Sequence, residues 1–427
     1  MRGVFAVARL VSSANLAYGQ EANAPVLTVM NSIPTAQDEP VRIPKKGAKP
    51  DPYAAIGVNA GGLRLFPSLE IGTVISSNAA KSATTKKADM GINLRPTLRF
   101  ESDWSRHSWT GSATADWQRF KNEDDLSTLT GAAETAFRLD IRHTTHADFK
   151  ASYVLNETGT ENSQVPKTAA RARRDYSFTT SAGLTHDFGG LETTAQLGLV
   201  RGIYDDVALV GGGTEKNADR NYWEPRLSLR GVLGYSNAPL RPFVEAAYTP
   251  RFHDQTLDRN LQKRDSQGLA LSAGVTFDGG PIWTGDMALT YLRRSYDDAA
   301  LNTANAVGIT GNVTWRPTTI TTILATTGLS LDDVASKNVS ASKNWTTSVN
   351  LTQALRENVD LLIGTSVALQ NIGSTTDMTS TAKLGLDWKV NPNMTAGVTY
   401  QGMWFAAGSG TGDYNEQRLM SSIVLKQ

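Results

Sequence analysis

The sequence predicts an all-β protein, a single transmembrane antiparallel β-barrel of about 18 strands, with 16 strands as the alternative. Apolar and polar residues alternate with a period of two over most of the chain, the connections between these segments are alternately short and long, and aromatic residues gather towards both ends of the segments. Such alternation is typical of half-buried strands. Short turns that alternate with longer loops are typical of outer-membrane barrels.

Composition removes several other classes of protein. The 427 residues carry a formal net charge of +1 and no cysteine, which excludes a disulfide scaffold and a thiol enzyme. The balance of acidic and basic residues gives no reason to expect a nucleic-acid partner, because phosphate binding requires a basic surface. No run of residues approaches the roughly 18 to 20 apolar positions that a membrane-spanning helix needs.

The N-terminal segment is expected to be irregular. Residues 1–19 are expected to be a signal peptide, because Arg2 precedes a short apolar stretch and residues 17–19 form a small-x-small cleavage site. Arg9 interrupts the apolar stretch, so a cytosolic N-terminus is the alternative. Residues 20–66 are expected to be a Pro-rich periplasmic linker, since prolines and lysines leave that segment without a core of its own.

The barrel is expected to occupy residues 67–427. In one of its segments, for example, Ile92 and Leu98 alternate with Arg95 and Arg99. The longer connections are predicted to include residues 205–217, 332–343 and 373–377. An even number of strands places both ends of the barrel on the periplasmic side.

Charged residues on the polar strand faces are expected to line the lumen. Residues four apart on a strand share a face, and arginines recur at this spacing. The predicted lumen-lining residues are Arg95, Arg99, Glu101, Glu134, Arg138, Asp140, Arg142, Glu224, Arg226 and Arg230. Two interpretations stay open: an arginine-rich path that favours anionic solutes, or a hydrated charge network that stiffens the wall.

Two belts of aromatic residues are expected at the two membrane–water interfaces. The predicted members near the periplasmic ends are Phe100, Trp109, Phe243, Phe277, Trp315 and Trp388, and those near the outer ends are Trp117, Trp223, Trp345 and Trp404. Trp109 and Trp117 share a strand face at a separation of about 20 Å along a tilted strand. This separation is close to the height of an outer-membrane apolar band, about 25 Å.

Residues 51–78 resemble the opening of the bacterial putative beta-barrel porin 2 family of outer-membrane proteins. The matching residues are Tyr53, Gly57, Gly61, Phe66, Pro67, Ser68, Leu69, Glu70, Gly72 and Asn78. The chain departs from the family at Ser76 and Ser77, where aspartates often stand, and it ends on Gln427 instead of the terminal aromatic residue of many outer-membrane barrels. The resemblance implies an outer-membrane barrel. Because the family is associated with envelope polysaccharide gene clusters, it also implies a role in export.

The predicted function is a porin-like channel for polar solutes in the bacterial outer membrane, with export of an envelope exopolysaccharide as the version that the resemblance implies. The alternative is a structural or adhesive surface barrel with a closed lumen, and an outer-membrane hydrolase comes third. No enzyme is predicted, because no serine stands in a nucleophile elbow. His143 and His146 have a ligand-like spacing but fall in a short turn, so neither a metal nor another cofactor is predicted.

The expected partners follow from this interpretation. They are outer-membrane lipid, the barrel insertion machinery, and polysaccharide or small polar solutes, with no nucleic acid.

Overall fold

The computed structural model describes residues 52–123, 126–159, 162, 164–166, 168–235, 238–277, 280, 282–410 and 412–427. The predicted signal peptide and residues 20–51 of the predicted linker lie outside the described residues. The first described strand, β1 (Val58–Ala60), folds back on β2 and pairs with it from Val58 opposite Leu65 to Ala60 opposite Leu63. Gly61, with φ +64°, makes the turn between them.

The wall of the barrel is a closed antiparallel sheet of 18 strands, so the predicted fold is confirmed and the 16-strand alternative is wrong. Most of these strands are 12 to 15 residues long, enough to cross a bilayer when tilted. The strands are β2 (Leu63–Ser76), β3 (Asp89–Ser102), β4 (Ser108–Phe120), β5 (Thr128–Arg142), β6 (Thr145–Thr158), β7 (Arg173–Asp187), β8 (Leu191–Tyr204), β11 (Tyr222–Leu233), β12 (Leu240–His253), β13 (Ser266–Phe277), β14 (Trp283–Tyr296), β15 (Ala304–Trp315), β16 (Thr321–Asp332), β17 (Ser342–Arg356), β18 (Val359–Ile372), β19 (Thr375–Asn391), β20 (Met394–Ala406) and β21 (Tyr414–Lys426).

Each strand of the wall pairs with its neighbours in sequence, and the barrel closes where β2 meets β21. In that last ladder Ser68 lies opposite Lys426 and Ser76 lies opposite Arg418. Strand β2 begins at Leu63, a few residues before the boundary predicted at residue 67. Within the described ranges, no helix is long and apolar enough to cross a membrane.

The connections largely follow the predicted alternation. The turns at one end span between two and six residues, whereas the longest connection at the other end, residues 205–221, carries a small hairpin of β9 (Val207–Ala208) and β10 (Thr214–Glu215) and a 3-10 helix, Ala218–Arg220. One predicted long connection is wrong. Residues 375–377 belong to β19, and only Gly373 and Ser374 connect it to β18, with Gly373 at φ +62°.

The two faces of the wall differ in polarity. Directly opposed residues share a face, so the register can be followed from strand to strand. The outer face carries exposed apolar side chains such as Ile71, Leu227 and Val244, whereas the inner face carries polar and charged ones such as Glu70 and Ser228. A barrel with this distribution matches a lipid environment outside and a hydrated or polar interior.

The wall departs from a regular cylinder between β15 and β16. These strands pair only over residues 311–315 and 323–327, which is the half nearer the short turns. Beyond these pairs, β15 stays paired with β14 and β16 stays paired with β17. The outer-facing side chains of Leu329 and Leu331 then become buried against inner-face residues of β12 to β15, namely Ala247, Ala270, Leu292 and Ala304. The part of β16 that follows Thr327, together with the start of β17 up to Trp345, therefore lies inside the wall. We call this part of the chain the inturned tip.

Candidate channel interior

The inner face of β3 to β6 is partly exposed over the middle of these strands. Arg95 lies between two carboxylates, because its Nε and Nη2 donate to Oδ2 of Asp116 at 2.8 and 2.5 Å and its Nη1 lies 3.8 Å from Oε2 of Glu70. Asn93 donates a further hydrogen bond of 2.6 Å to Asp116. These groups remain partly exposed, so water screens their interaction.

The neighbouring strands continue this hydrated face. Arg138 Nε donates to Oδ1 of Asp140 at 2.9 Å, and Asp148 lies directly opposite Arg138 on β6. On the same face, the side chains of Ala132 and Glu134 are exposed although they point into the barrel. Exposure of an inward-facing alanine in the middle of a strand requires open space in front of it. The lumen is therefore open in front of the middle of β5, whereas Phe120 and Asn156, inner-face residues nearer the long loops, are buried.

The inner face of β11 to β14 is filled by a ladder of ion pairs. Glu245 lies between Arg226, at 3.4 Å, and Arg230, at 3.8 Å. Arg230 also approaches Oδ1 of Asp286 at 3.2 Å, and its guanidinium stacks on the ring of Phe243 at 3.7 Å from the centroid. Phe243 was predicted to belong to the periplasmic belt, and that prediction is wrong. It lies on the inner face and is 2% exposed, because it shares its parity along β12 with Arg241 and Glu245.

A second ion cluster is buried where the inturned tip meets the wall. Glu224 Oε2 accepts hydrogen bonds from Arg251 Nε at 2.9 Å and from Arg294 Nη2 at 3.0 Å. Arg251 Nη1 also donates to Oδ2 of Asp333, the first residue after β16, at 2.5 Å, and His253 Nε2 lies 3.2 Å from the same oxygen. Burial alone would raise the pKa of Asp333, but Arg251 and His253 outweigh it and hold that pKa well below its ordinary value. Glu224 is therefore enclosed, not open to the lumen.

The connection after β16, residues 333–341, is fastened to the neighbouring loops by side-chain hydrogen bonds. Arg264 donates to the carbonyl oxygens of Ser336 and Val339 at 2.8 and 2.7 Å, and Asn260 donates to that of Ala335 at 2.8 Å. From the other side, Oε1 of Gln164 accepts from the Ala335 amide at 2.8 Å. These bonds tie three loops together across the outer end of the barrel.

The long loop 205–221 is fastened to the same set of loops, through Arg259 of residues 254–265. Arg259 donates to both carboxylate oxygens of Asp219 at 2.9 and 3.0 Å and to Oε1 of Glu215 at 2.7 Å. Burial opposes ionisation of Asp219, but its hydrogen bonds with Arg259 outweigh this and lower its pKa below the ordinary value. The loop is thus anchored by a charge-assisted, multidentate contact, the strongest type available at a surface.

Of the remaining predicted lumen residues, Arg99 lies on the inner face with its guanidinium 5.5 Å from the ring centroid of Phe66. Glu101 lies on the same face, directly opposite Arg64. Arg142 lies beyond an irregularity in the β5–β6 register, at the exposed end of β5.

Of the two interpretations left open, the charges on this face favour the mixed charge network over the arginine-rich path. Sequence reasoning did not count Glu70, Asp116 and Asp148, which share the inner face with these arginines. Between β2 and β6 the inner-face acids are Glu70, Asp89, Glu101, Asp116, Glu134, Asp140 and Asp148. The basic residues there are Arg64, Arg95, Arg99, Arg138 and Lys150, with Arg142 at the strand end. The hydrated wall is balanced or slightly acidic.

The other predicted belt residues divide into two groups. Phe100, Trp109, Trp117, Trp223, Phe277, Trp315, Trp388 and Trp404 lie on the outer face. Trp345 has the outer-face parity but packs against the cluster around Leu329 and Leu331, so its predicted place in the outer belt is wrong in this structure. Whether the outer-face aromatics meet the two interfaces stays a prediction.

Histidine chemistry gives no sign of a hydrolytic site. The ring nitrogens of His107, His146, His186 and His253 pair with a backbone amide, with aspartates or with Thr145, not with a serine. Across the described ranges, no group of three or more potential metal ligands lies close enough to hold an ion.

A closed 18-strand barrel with an apolar outer face and a charged, partly exposed inner face defines the class of outer-membrane β-barrels. The family model of putative beta-barrel porin 2 matches residues 51–427, and the chain belongs to this family. Family and fold both point to the bacterial outer membrane, and together they support a channel or transporter.

The chain is also similar, at low sequence identity, to several solved structures. The outer membrane protein OpdK from Pseudomonas aeruginosa is 10% identical, with 85% of this chain and 99% of that chain covered and a TM-score of 0.42. The siderophore receptor PirA from Pseudomonas aeruginosa is 10% identical, with 85% and 80% covered and a TM-score of 0.37. The FrpB iron transporter from Neisseria meningitidis is 8% identical, with 80% and 62% covered and a TM-score of 0.40. No match was found among curated proteins.

Proposed function

We propose that the protein is a passive outer-membrane channel for small polar solutes, whose aqueous path follows the inner face of β3 to β6. The observation that carries the proposal is the exposure of Ala132 and Glu134 on that inner face. The opposite wall cannot serve as the path, because ion pairs and the inturned tip fill the space in front of it. The hydrated charges around Arg95 and Arg138 supply polar partners along the path.

A pair of adjacent alanines tests this path. Ala132→Trp places an indole in the open space and should lower the unitary conductance of the full protein in planar bilayers. Ala133→Trp places the same ring on the outer face and should leave conductance unchanged. Equal conductance in both variants would contradict a path along β5, and no conductance in the unaltered protein would contradict the channel.

Export of an envelope polysaccharide is the more specific version of this proposal. Support comes from hydroxyl groups on the inner wall, such as the Thr97 and Thr114 pair at 3.1 Å, which resemble the groups that hydrogen-bond to sugars. A polymer would also need the outer loops to separate. Vesicle swelling with a series of neutral oligosaccharides tests it, because a sharp size limit at small sugars would exclude a polymer in this conformation.

A structural or adhesive barrel with a closed lumen is the second candidate. The observation in its favour is the hydrogen bonding of loops 205–221, 254–265 and 333–341 across the outer end. The conductance measurement separates the two candidates. In either case, we propose that the apolar outer face meets outer-membrane lipid, that the barrel insertion machinery assembles the chain, and that no nucleic acid is bound.

A further inference from the structure

The strands β15 and β16 part at a defined point. The last pair of their ladder is Gly311 opposite Thr327, and the hydroxyl of Thr327 donates to the carbonyl of Ile309 at 3.1 Å at the fork. In the described chain beyond this point, neither strand forms ladder pairs with the other, although each stays fully paired on its other side. A fork between two continuous strands leaves two rows of backbone groups that could pair with each other.

Glycines lie at the base of the fork. Gly311 has φ +144° and Gly285, on the adjacent strand, has φ +129°. A Cβ atom at Gly311 would lie 2.2 Å from the carbonyl oxygen of Asp286 and one at Gly285 would lie 2.1 Å from that of Asn312. Only glycine fits this close approach of β14 and β15, which lies at the level where β16 leaves β15.

The residue pattern of the inturned tip is that of a strand facing lipid. Leu329, Leu331 and Trp345 share one face, while Asp332 and Asn344 share the other. In the structure the apolar face packs on the inner side of β12 to β15. This pattern would equally suit a regular barrel wall, in which Leu329 and Leu331 would meet lipid and Asp332 would face the lumen.

Extending the β15–β16 register beyond Gly311 gives a consistent second arrangement. Antiparallel pairing would place Ile309 opposite Leu329 and Val307 opposite Leu331. Ile309 and Val307 are exposed on the outer face now, so each apolar residue would meet an apolar residue on the lipid side. The extended ladder would also add backbone pairs between β15 and β16 and withdraw the inturned tip from the lumen.

We propose that the β15–β16 fork is a gate: the channel is narrowed when the inturned tip packs inside the wall and widened when the two strands pair along their full length. This proposal rests on the proposed channel function and names its regulation. Asp333 fastens the narrowed state, through its contacts with Arg251 and His253. Pairing of the two strand edges favours the widened state. To reach that state, Asp333 must leave its contacts with Arg251 and His253.

The cysteine-free chain allows each state to be trapped by one engineered disulfide. Gly308→Cys with Leu329→Cys should cross-link only in the structure described here, since a Cβ at Gly308 would lie 3.8 Å from Cγ of Leu329, the position that the cysteine sulfur would take. Ile309→Cys with Leu329→Cys should cross-link only in the paired state, because Ile309 and Leu329 now lie on opposite sides of β15 and cannot be bridged. The two variants share one substitution and differ by one position along the chain.

Both bonds should form on mild oxidation in lipid vesicles. Oxidation should lower the conductance of the Gly308→Cys variant and raise that of the Ile309→Cys variant, with reversal by a reducing agent. The control is Ala273→Cys with Leu289→Cys, which are directly opposed in the intact β13–β14 ladder and should cross-link without a change in conductance. The Leu329→Cys single variant, checked by heat-modified gel mobility, reports on folding.

The gate is overturned if the Ile309→Cys and Leu329→Cys pair does not cross-link under conditions that fully oxidise the control pair. It is also overturned if both locked forms conduct alike. Cross-linking is read on a gel and does not depend on ion flow. A protein that conducts in no form but forms both bonds would therefore refute the channel and leave the two arrangements of the fork standing.

Discussion

The assignment of faces on β5 can be tested with two arginine substitutions at adjacent alanines. Ala133 lies on the outer face, opposite Ala113 on one side and Tyr153 on the other, whereas Ala132 lies on the inner face, opposite Thr114 and Val154. Ala133→Arg should place a charge in lipid, and Ala132→Arg should place the same charge in the hydrated lumen. Because both variants replace an alanine by arginine on the same strand, the effects of strand propensity and side-chain size cancel in the comparison.

The expected difference in unfolding free energy between the two variants follows from the depth of Ala133 in the membrane. Strand β5 runs from Thr128 to Arg142, so Thr135 is its midpoint and Ala133 lies two residues away. At about 3.3 Å per residue and a tilt of about 40°, this is about 5 Å from the midplane. An apolar band about 25 Å tall extends about 12 Å to each side, and arginine costs about 2 to 4 kcal/mol at the midplane. We therefore expect Ala133→Arg to lose about 2 to 3 kcal/mol and Ala132→Arg less than about 1 kcal/mol.

Reversible urea unfolding in lipid vesicles measures the free energy of unfolding for both variants. A gap of about 2 kcal/mol corresponds to roughly a 30-fold change in the ratio of folded to unfolded protein. Equal losses would refute the face assignment on β5. A large loss for Ala132→Arg alone would refute the hydrated lumen, since a charge in a dry interior is at least as costly as one in lipid.

Three further predictions concern charge, topology and gating. The slightly acidic wall should give a weak cation preference in reversal potentials, and joint Glu134→Gln and Asp148→Asn changes should shift it towards anions, whereas an anion preference in the native protein would contradict the charge balance. Epitope tags in residues 205–217 should be reachable on intact cells and tags in residues 391–393 should not, and the opposite labelling would reverse the orientation. Asp333→Asn should increase the yield of the paired-state disulfide, because loss of one partner from a buried ion cluster costs up to about 3 to 5 kcal/mol; an unchanged yield would mean that this carboxylate does not hold the tip.

Much of the fold could be predicted because apolar and polar residues alternate with the same period of two in nearly every strand. Alternation identifies strands, and connections mark their ends, so the number of strands and their order follow without tertiary information. The polar residues after Gly373 show the limit. Thr375, Thr376 and Asp377 extend a paired strand, and a polar strand that projects beyond the apolar band has the same composition as a loop.

The sequence allowed us to predict which residues lie on the inner face, but not the balance of charge on that face. The predicted arginines Arg95, Arg138, Arg226 and Arg230 lie on the inner face, yet each has a carboxylate nearby, and two of these acids, Asp116 and Glu245, were missed. Parity along their own strands would have revealed them. Phe243 carried the same signal, since it lies two positions from both Arg241 and Glu245. An aromatic residue was taken as a belt residue when its neighbours already indicated the inner face.

Trp345 was misplaced for a different reason, which bears on the gate. Its parity with Leu329 indicates the outer face, and within the ladders that β16 and β17 form that parity is kept. Only the fork beyond Gly311 turns this face inward, and the alternation of apolar and polar residues along β16 and β17 does not encode that change. A conflict between a local pattern and the tertiary arrangement is expected mainly at functional positions, because elsewhere selection brings the two levels into agreement. The apolar face of the inturned tip has two suitable environments, the inner wall and the lipid. A segment that satisfies both can move between them at a small difference in free energy, which is the property that a gate requires.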